Sequence, residues 1–431
     1  MSIEMMLVVF LGGLIFLFLI GVSIPWAIGI TSLIVLIVSS GITDIPFHTM
    51  VQKMTAGVNN FTLLAIPFFL LAGKLMNTGS ITTRIFKFAN ALVGWIPGGL
   101  GHANVLASIV FAGMSGSAVA DASGLGTIEI EAMKNEGFDI EFSAAITAAS
   151  STIGPIIPPS IPLVVFGVAG GVSVTKLLVG GIVPGLLMGI SLMIMVYYFA
   201  KKRNYPKTKF PAPKEFFRML IDAFFPTLTP VILIGGILSG IFTATEAAAV
   251  ASLYAFVLTY FVYKEMTIKQ FFDVCREVVR ETSSIMIIVA ASSLYGYLLI
   301  KTKIPNDLMQ MIFEYTQSKF LILLLINIFL VFVGCFMETN SAIMILTPII
   351  LPLTTALGID PVHMGLVMVL NLCIGLLTPP IGMCLYATAK VAKIKLESMI
   401  KAILPFYIPL GITLLLITFI PQLVLWLPNM F

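Results

Sequence analysis

The sequence predicts an all-α, polytopic membrane protein built from two inverted structural repeats, each containing a re-entrant helical hairpin and a broken helix. Three observations carry this. Of the 431 residues, 59% are hydrophobic and only 10% charged, where a soluble domain carries about a quarter charged. Helix-breaking elements recur at a constant offset of 221 residues: Gly113 with Gly334, Gly154 with Gly375, Pro159 with Pro380. The first repeat ends in a basic stretch and the second in a neutral one, as inverted topologies require when positive charge accumulates on the cytoplasmic side.

Taken in chain order, the first apolar run is Met5–Ile20, which continues after Gly21-Val22-Ser23-Ile24-Pro25 into Trp26–Val38. Without a basic flank it does not read as a cleaved signal peptide. Only Glu4 precedes it, which places that end on the outer face. Ile81–Trp95 is amphipathic, with Arg84 and Lys87 among apolar neighbours, and is expected at the membrane interface. Leu186–Tyr198 is apolar, and Gly181, Gly185 and Gly189 give its helix a small-residue face suited to close packing. Lys201, Lys202, Arg203, Lys207, Lys209, Lys214 and Arg218 then form a basic loop dividing repeat 1 (about 1–210) from repeat 2 (about 222–431).

In the second repeat, Thr243-Ala244-Thr245-Glu246-Ala247 has two readings for Glu246: an acid near an apolar segment, or a first-turn residue answering a helix dipole. Lys264–Arg280 is a second interfacial candidate, and Leu321–Val333 and Ile403–Ile420 are apolar runs. Cys275, Cys335, Cys373 and Cys384 form no CxxC pair and read as packing residues. His48, His102 and His363 lack metal-ligand spacing. The net charge of +4 sits mainly beside apolar segments, so it signals topology and lipid contact, with no nucleic-acid partner.

The chemistry lies in the breaks. Gly113-Met114-Ser115-Gly116-Ser117-Ala118-Val119-Ala120-Asp121-Ala122-Ser123-Gly124 is too rich in Gly and Ser for a lipid-facing helix centre. It reads as the turn of a hairpin whose arms are Gly101–Ala112 and Ala122–Met133. Irregular backbone at membrane depth is tolerated only inside protein or beside a water-filled cavity. Gly334-Cys335-Phe336-Met337-Glu338-Thr339-Asn340-Ser341 is its counterpart, between Phe320–Val333 and Ala342–Leu357.

The second break in each repeat is Gly-x-x-x-Pro-Pro: Gly154-Pro155-Ile156-Ile157-Pro158-Pro159 and Gly375-Leu376-Leu377-Thr378-Pro379-Pro380. Paired prolines stop a helix and leave carbonyl oxygens without intrahelical partners. Hard cations take oxygen ligands, and half-helix N-termini favour anions. Asp121 and Glu338 lie in the hairpin turns, where a carboxylate costs free energy unless it functions. Location makes Ser117, Asp121, Thr152, Glu338, Thr339 and Asn340 the substrate-facing candidates.

Two other classes compete. Gly113-Met114-Ser115-Gly116 matches the Gly-x-Ser-Gly pattern of intramembrane serine proteases, with His102 or His363 as an imaginable base. Repeat 2 has no serine at the equivalent place, so the expectation is that the protein is not an enzyme. A channel fits poorly with two closed hairpins. No Gly-x-x-x-x-Gly-Lys-Ser/Thr motif is present to bind ATP.

These elements resemble the large membrane (M, DctM-type) subunit of tripartite ATP-independent periplasmic (TRAP) transporters. The resemblance rests on Gly113–Gly124, Gly154–Ser160, Thr243–Ala247 and Gly375–Pro380, and runs essentially end to end. It implies an elevator-type secondary transporter of the bacterial inner membrane, with Na⁺ as the coupling ion. It further implies a small four-helix membrane subunit (Q-type), expected as a separate chain, and a periplasmic substrate-binding protein (P-type) that delivers a carboxylate. Sialic-acid members look most similar, with C4-dicarboxylate transport the alternative. The implied Na⁺ sites fall on Ser115, Gly154, Ile157 and Pro159, and on Phe336, Gly375, Thr378 and Pro380, where Phe336 offers only its carbonyl. Repeat arithmetic then puts the moving domain at about 61–174 and 282–395, and the scaffold at 1–60, 175–281 and 396–431.

Overall fold

The computed structural model describes residues 8–41, 45–77 and 81–430; Glu4 lies outside them. The described residues form helices joined by short turns, without a strand. Seven helices are long and apolar enough to cross a membrane, eight if the bent pair Phe47–Val58 and Phe61–Met76 counts as one span.

The helices that build the site are, in chain order, α1 (Ile24–Ser40), α2 (Ala65–Met76), α3 (Gly99–Ser115), α4 (Ala118–Ser123), α5 (Ile140–Ser151), α6 (Ile161–Gly170), α7 (Ile268–Lys301), α8 (Lys319–Phe336), α9 (Thr339–Ala356), α10 (Pro361–Gly375) and α11 (Met383–Ala392). The hairpin of repeat 1 is α3, α4 and Leu125–Asn135; that of repeat 2 is α8 and α9. The broken helices are α5–α6 and α10–α11.

Packing repeats with the sequence. In each half the first hairpin arm lies on the first part of the broken helix, α3 on α5 and α8 on α10. Buried amides join them: Asn104 Nδ2 donates to Thr147 Oγ1 at 2.7 Å, and Asn371 Nδ2 to Asn327 Oδ1 at 2.8 Å. The two halves also interlock, because α11 packs on α4 and α5 while α6 packs on α9. All four breaks are thereby drawn to one place.

The small-residue face at Gly181, Gly185 and Gly189 packs closely, as expected. A Cβ on Gly181 would meet the Ile156 carbonyl oxygen at 2.0 Å, one on Gly185 the Ile157 side chain at 2.2 Å, and one on Gly189 the Ile109 side chain at 2.4 Å. Any side chain there would push repeat 1's break and hairpin aside.

One expectation fails in detail. Lys264–Arg280 is not a separate interfacial helix: after Lys264 the chain enters α7, which runs uninterrupted for 34 residues, roughly 50 Å. No Gly or Pro separates Arg280 from the apolar part, so nothing stops the helix. The expected domain border at 281/282 therefore falls inside α7. The 60/61 border falls at the 53° bend between Phe47–Val58 and Phe61–Met76, and the 395/396 border at the start of the helix Leu396–Ile403.

Glu246 has a local role. Its carboxylate accepts from the Thr243 amide at 2.8 Å while Thr243 Oγ1 accepts from the Glu246 amide at 3.3 Å, a reciprocal cap on the helix Ala244–Val257.

Candidate functional site

Helix α3 stops at Ser115 because Gly116 turns left-handed, at φ +64°. Ser117 then caps α4 through the Ala120 amide. The Ser115 hydroxyl donates to Asp121 Oδ1 and accepts from the Ser117 amide at 3.3 Å. Asp121 is buried, and its Oδ2 has no hydrogen-bond partner among the described residues. That oxygen lies on the break of repeat 1: a Cβ on Gly154 would stand 2.4 Å from it.

After Ser151 the backbone turns through Thr152–Pro159, with a cis bond between Pro158 and Pro159, before Ser160 caps α6. The Ser160 hydroxyl donates to the Pro155 carbonyl and accepts from the Leu163 amide at 3.2 Å. The carbonyls of Gly154, Ile157 and Pro159 accept no hydrogen bond among the described residues. Pro159 also touches the hairpin turn, since a Cβ on Gly116 would come within 2.6 Å of its carbonyl oxygen. Ser115, Asp121, Gly154, Ile157 and Pro159 thus gather at one buried corner. It is rich in oxygen and poor in donors.

Repeat 2 builds the related corner differently. Helix α8 ends at Phe336, and Glu338 caps α9, accepting from the Ser341 amide at 3.0 Å and from Asn340 Nδ2 at 2.7 Å. The Gly382 amide donates to the Cys335 carbonyl at 3.4 Å, tying the hairpin to the far side of the break. Thr378 Oγ1 donates to the Ile374 carbonyl at 3.0 Å, which leaves its oxygen lone pairs available. The carbonyls of Thr378 and Pro380 accept no hydrogen bond among the described residues, and Gly375's accepts one, from the Thr378 amide at 2.8 Å. Pro379–Pro380 is cis. The Phe336 side chain is exposed, so only its main-chain carbonyl could serve at this corner.

Between the two hairpin turns lies a cavity of about 570 Å³. Its walls include Ala118, Ile161, Thr339 and Met383, the first residues of α4, α6, α9 and α11. Every broken element therefore points a helix N-terminus into the same space. Three of these helices have ten residues or more. Helix N-termini carry partial positive charge and free amides, and they hold anions without any basic side chain. None lines this cavity.

Of the substrate candidates, Ser117, Glu338, Thr339 and Asn340 line the cavity. Asp121 and Thr152 do not. Asp121 turns away toward Ser115 and Gly154, and Thr152 Oγ1 donates back to the Ala149 carbonyl at 2.6 Å. Sequence reasoning missed Glu281 and Ser284 on α7, Ser341 on α9 and Ser23 before α1, which form the remaining polar wall. Their only sequence signal is polarity at the rim of apolar runs.

The hydrolytic alternative finds neither His102 nor His363 beside Ser115. Ser115 is committed to Asp121, and His363 Nε2 is bonded to the Ile417 carbonyl at 2.7 Å. His102 sits thirteen residues before Ser115 on one continuous helix, roughly 20 Å away along its axis. No group of three or more His, Cys, Asp or Glu residues able to hold a metal occurs among the described residues.

The family model for the tripartite ATP-independent periplasmic transporter, DctM component, matches residues 11–423. The chain belongs to this family. Among relatives of this DctM-type chain, the sialic acid TRAP transporter large permease protein SiaM of Vibrio cholerae is 45% identical over 88% of this chain and 89% of its own. The C4-dicarboxylate TRAP transporter large permease protein DctM of Pseudomonas aeruginosa is 41% identical over 89% and 90%. Among solved structures, the Alcanivorax borkumensis YdaH transporter shares the fold, with a TM-score of 0.65 at 14% identity, covering 91% of this chain and 90% of that one. The DctM-type chain is thus a non-enzymatic, multi-pass transport protein of the bacterial inner membrane.

Proposed function

We propose that this chain is the permease of a Na⁺-coupled importer of an organic acid, with sialic acid the favoured substrate. The observation that carries the reading is the convergence of four helix N-termini on one cavity, beside two corners of unpaired carbonyl oxygens. Each helix break has two ends of opposite polarity. The N-terminal ends suit the carboxylate and the C-terminal ends with their bare carbonyls suit Na⁺.

In repeat 1 the cation set is Ser115, Gly154, Ile157 and Pro159; the contacts of Asp121 with Ser115 and Gly154 support moving it from the substrate set to this one. In repeat 2 it is Phe336, Gly375, Thr378 and Pro380. A cation at either corner would draw a hairpin turn against its neighbouring break and so fix the N-termini around the substrate. This links ion occupancy to substrate affinity. The substrate set is Ser117, Glu338, Thr339 and Asn340. Residues 61–174 and 282–395 would move as the elevator domain against the scaffold. The partners are a small four-helix (Q-type) subunit and a periplasmic (P-type) binding protein that hands over the acid.

Sialic acid ranks first because SiaM is the more similar of the two relatives compared. A C4-dicarboxylate is the second reading, supported by the DctM relative at 41%. The test is uptake into proteoliposomes containing this chain and the small subunit, with loaded binding protein outside. Sialic acid uptake should require inward Na⁺ and the binding protein. Equal uptake with K⁺ in place of Na⁺ would overturn the coupling, and uptake of succinate alone would overturn the substrate assignment.

A further inference from the structure

A side vestibule of about 400 Å³ adjoins the main cavity, sharing Leu70, Ser117, Val119 and Glu281 with it. Among the described residues, three charged side chains line the two spaces: Lys74, Glu281 and Glu338. Glu338 is already compensated, because it caps α9 and accepts from Asn340 and Ser341. Glu281 caps nothing. Its ion-pair partner is Lys74, with Nζ 2.8 Å from Oε1.

Lys74 reaches this position through its neighbour. A Cβ on Gly73 would stand 2.9 Å from the Ser115 Cα, so α2 lies directly against the hairpin turn. From there Lys74 bridges to α7, contacting Glu277 at 3.0 Å as well as Glu281. Glu277 is one helical turn earlier and lines neither space. Ion pairs this exposed contribute little to stability, so the arrangement calls for another account.

Resting on the transport reading above, we propose that Lys74 is a positioning residue that keeps the substrate cavity receptive to an anion by neutralising Glu281 on its wall. Without Lys74, a carboxylate substrate would meet an uncompensated negative charge on α7 as well as the helix N-termini. At an effective dielectric of about 20, like charges several ångströms apart repel enough to change an equilibrium constant tenfold or more.

The test uses the full chain with its small subunit in proteoliposomes, Na⁺-driven, with sialic acid-loaded binding protein below saturation. Lys74→Met should lower the initial rate about tenfold, and Lys74→Arg should retain it. Adding Glu281→Gln to Lys74→Met should restore the rate to within about threefold of wild type, whereas adding Glu277→Gln should not. A lost structural strut would not be rescued by removing a further charge. Equal rescue by Glu277→Gln, or rescue by neither, overturns the proposal. Should Lys74→Met fail to reach the membrane, Glu281→Gln alone decides: it should raise the subsaturating rate, and a fall overturns the proposal. Failure of the transport reading itself would be seen separately, as wild-type uptake that ignores Na⁺.

Discussion

Gly375 packs on Gly334 without an intervening side chain: a Cβ on Gly375 would stand 2.4 Å from the Gly334 Cα. These two glycines carry the sequence repeat, and in the fold they are a close backbone contact between the hairpin arm α8 and the broken helix α10, beside the Asn371–Asn327 hydrogen bond. Gly375→Ala should cost about 1–3 kcal/mol, as for other overpacked sites. Thermal unfolding of the detergent-purified protein should register the loss. Gly235→Ala is the control, since its Cβ would meet nothing within 4 Å, and it should be neutral or slightly stabilising. Equal melting temperatures for the two variants would mean that the glycine contact is unimportant.

The Asp121 carboxylate is bonded to Ser115, pressed on Gly154 and absent from the cavity wall, which is the reason for grouping it with the proposed cation set. Asp121→Asn should raise the Na⁺ concentration for half-maximal uptake about tenfold or more, while Phe336→Ala should leave it nearly unchanged because only the Phe336 main-chain carbonyl could serve there. Thr378→Ala should give an intermediate rise. Titrating Na⁺ at fixed loaded binding protein separates the three. An unaltered Na⁺ dependence in Asp121→Asn would remove that carboxylate from the site.

Ser117 and Asn340 line the cavity from opposite hairpins, and Thr152 is turned into its own helix. Ser117→Ala and Asn340→Ala should therefore weaken substrate affinity several-fold, roughly the worth of one hydrogen bond each. Thr152→Ala should not alter it. Substrate half-saturation measured by counterflow would read this directly, and a shift confined to Thr152→Ala would contradict the cavity assignment.

A polar clasp joins α5 to the end of the helix Ile182–Arg203. Tyr205 donates its hydroxyl to Asp139 Oδ2 at 2.6 Å, and Arg203 Nη1 lies 2.7 Å from the same oxygen. The Tyr205 hydrogen bond, followed by Arg203, holds the Asp139 carboxyl below the usual carboxylate range. A lowered native pKa gives stability that is present above the unfolded value, about 3.9, and lost as pH falls through the native value. Asp139→Asn should consequently lower the melting temperature by a similar small amount throughout pH 5–8. The difference should begin to shrink only once the pH falls below the unfolded value; a difference that grows between pH 5 and 8 would assign the effect to another group.

Much of the fold was legible because Gly and Pro act locally. A left-handed turn at Gly116 ends α3, and the Gly/Pro-rich stretches after Ser151 and Gly375 keep the next helix from starting, so the hairpin arm expected at Gly101–Ala112 is found at Gly99–Ser115 and both broken helices lie where expected. The uninterrupted α7 was hidden because amphipathic and apolar stretches were taken as separate units, although nothing between them terminates a helix.

The sequence by itself determined where this protein's helices break, that the breaks come in two sets, and which family the chain belongs to, since each depends on residue identity or spacing along the chain. Only the tertiary structure decided which polar groups share a wall. Asp121 and Ser117 are four residues apart yet serve different corners, while Glu281 and Ser117 are 164 residues apart and line one cavity. The physical reason is that backbone torsion is set by neighbours in sequence, whereas a side chain's partners are set by the packing of distant helices.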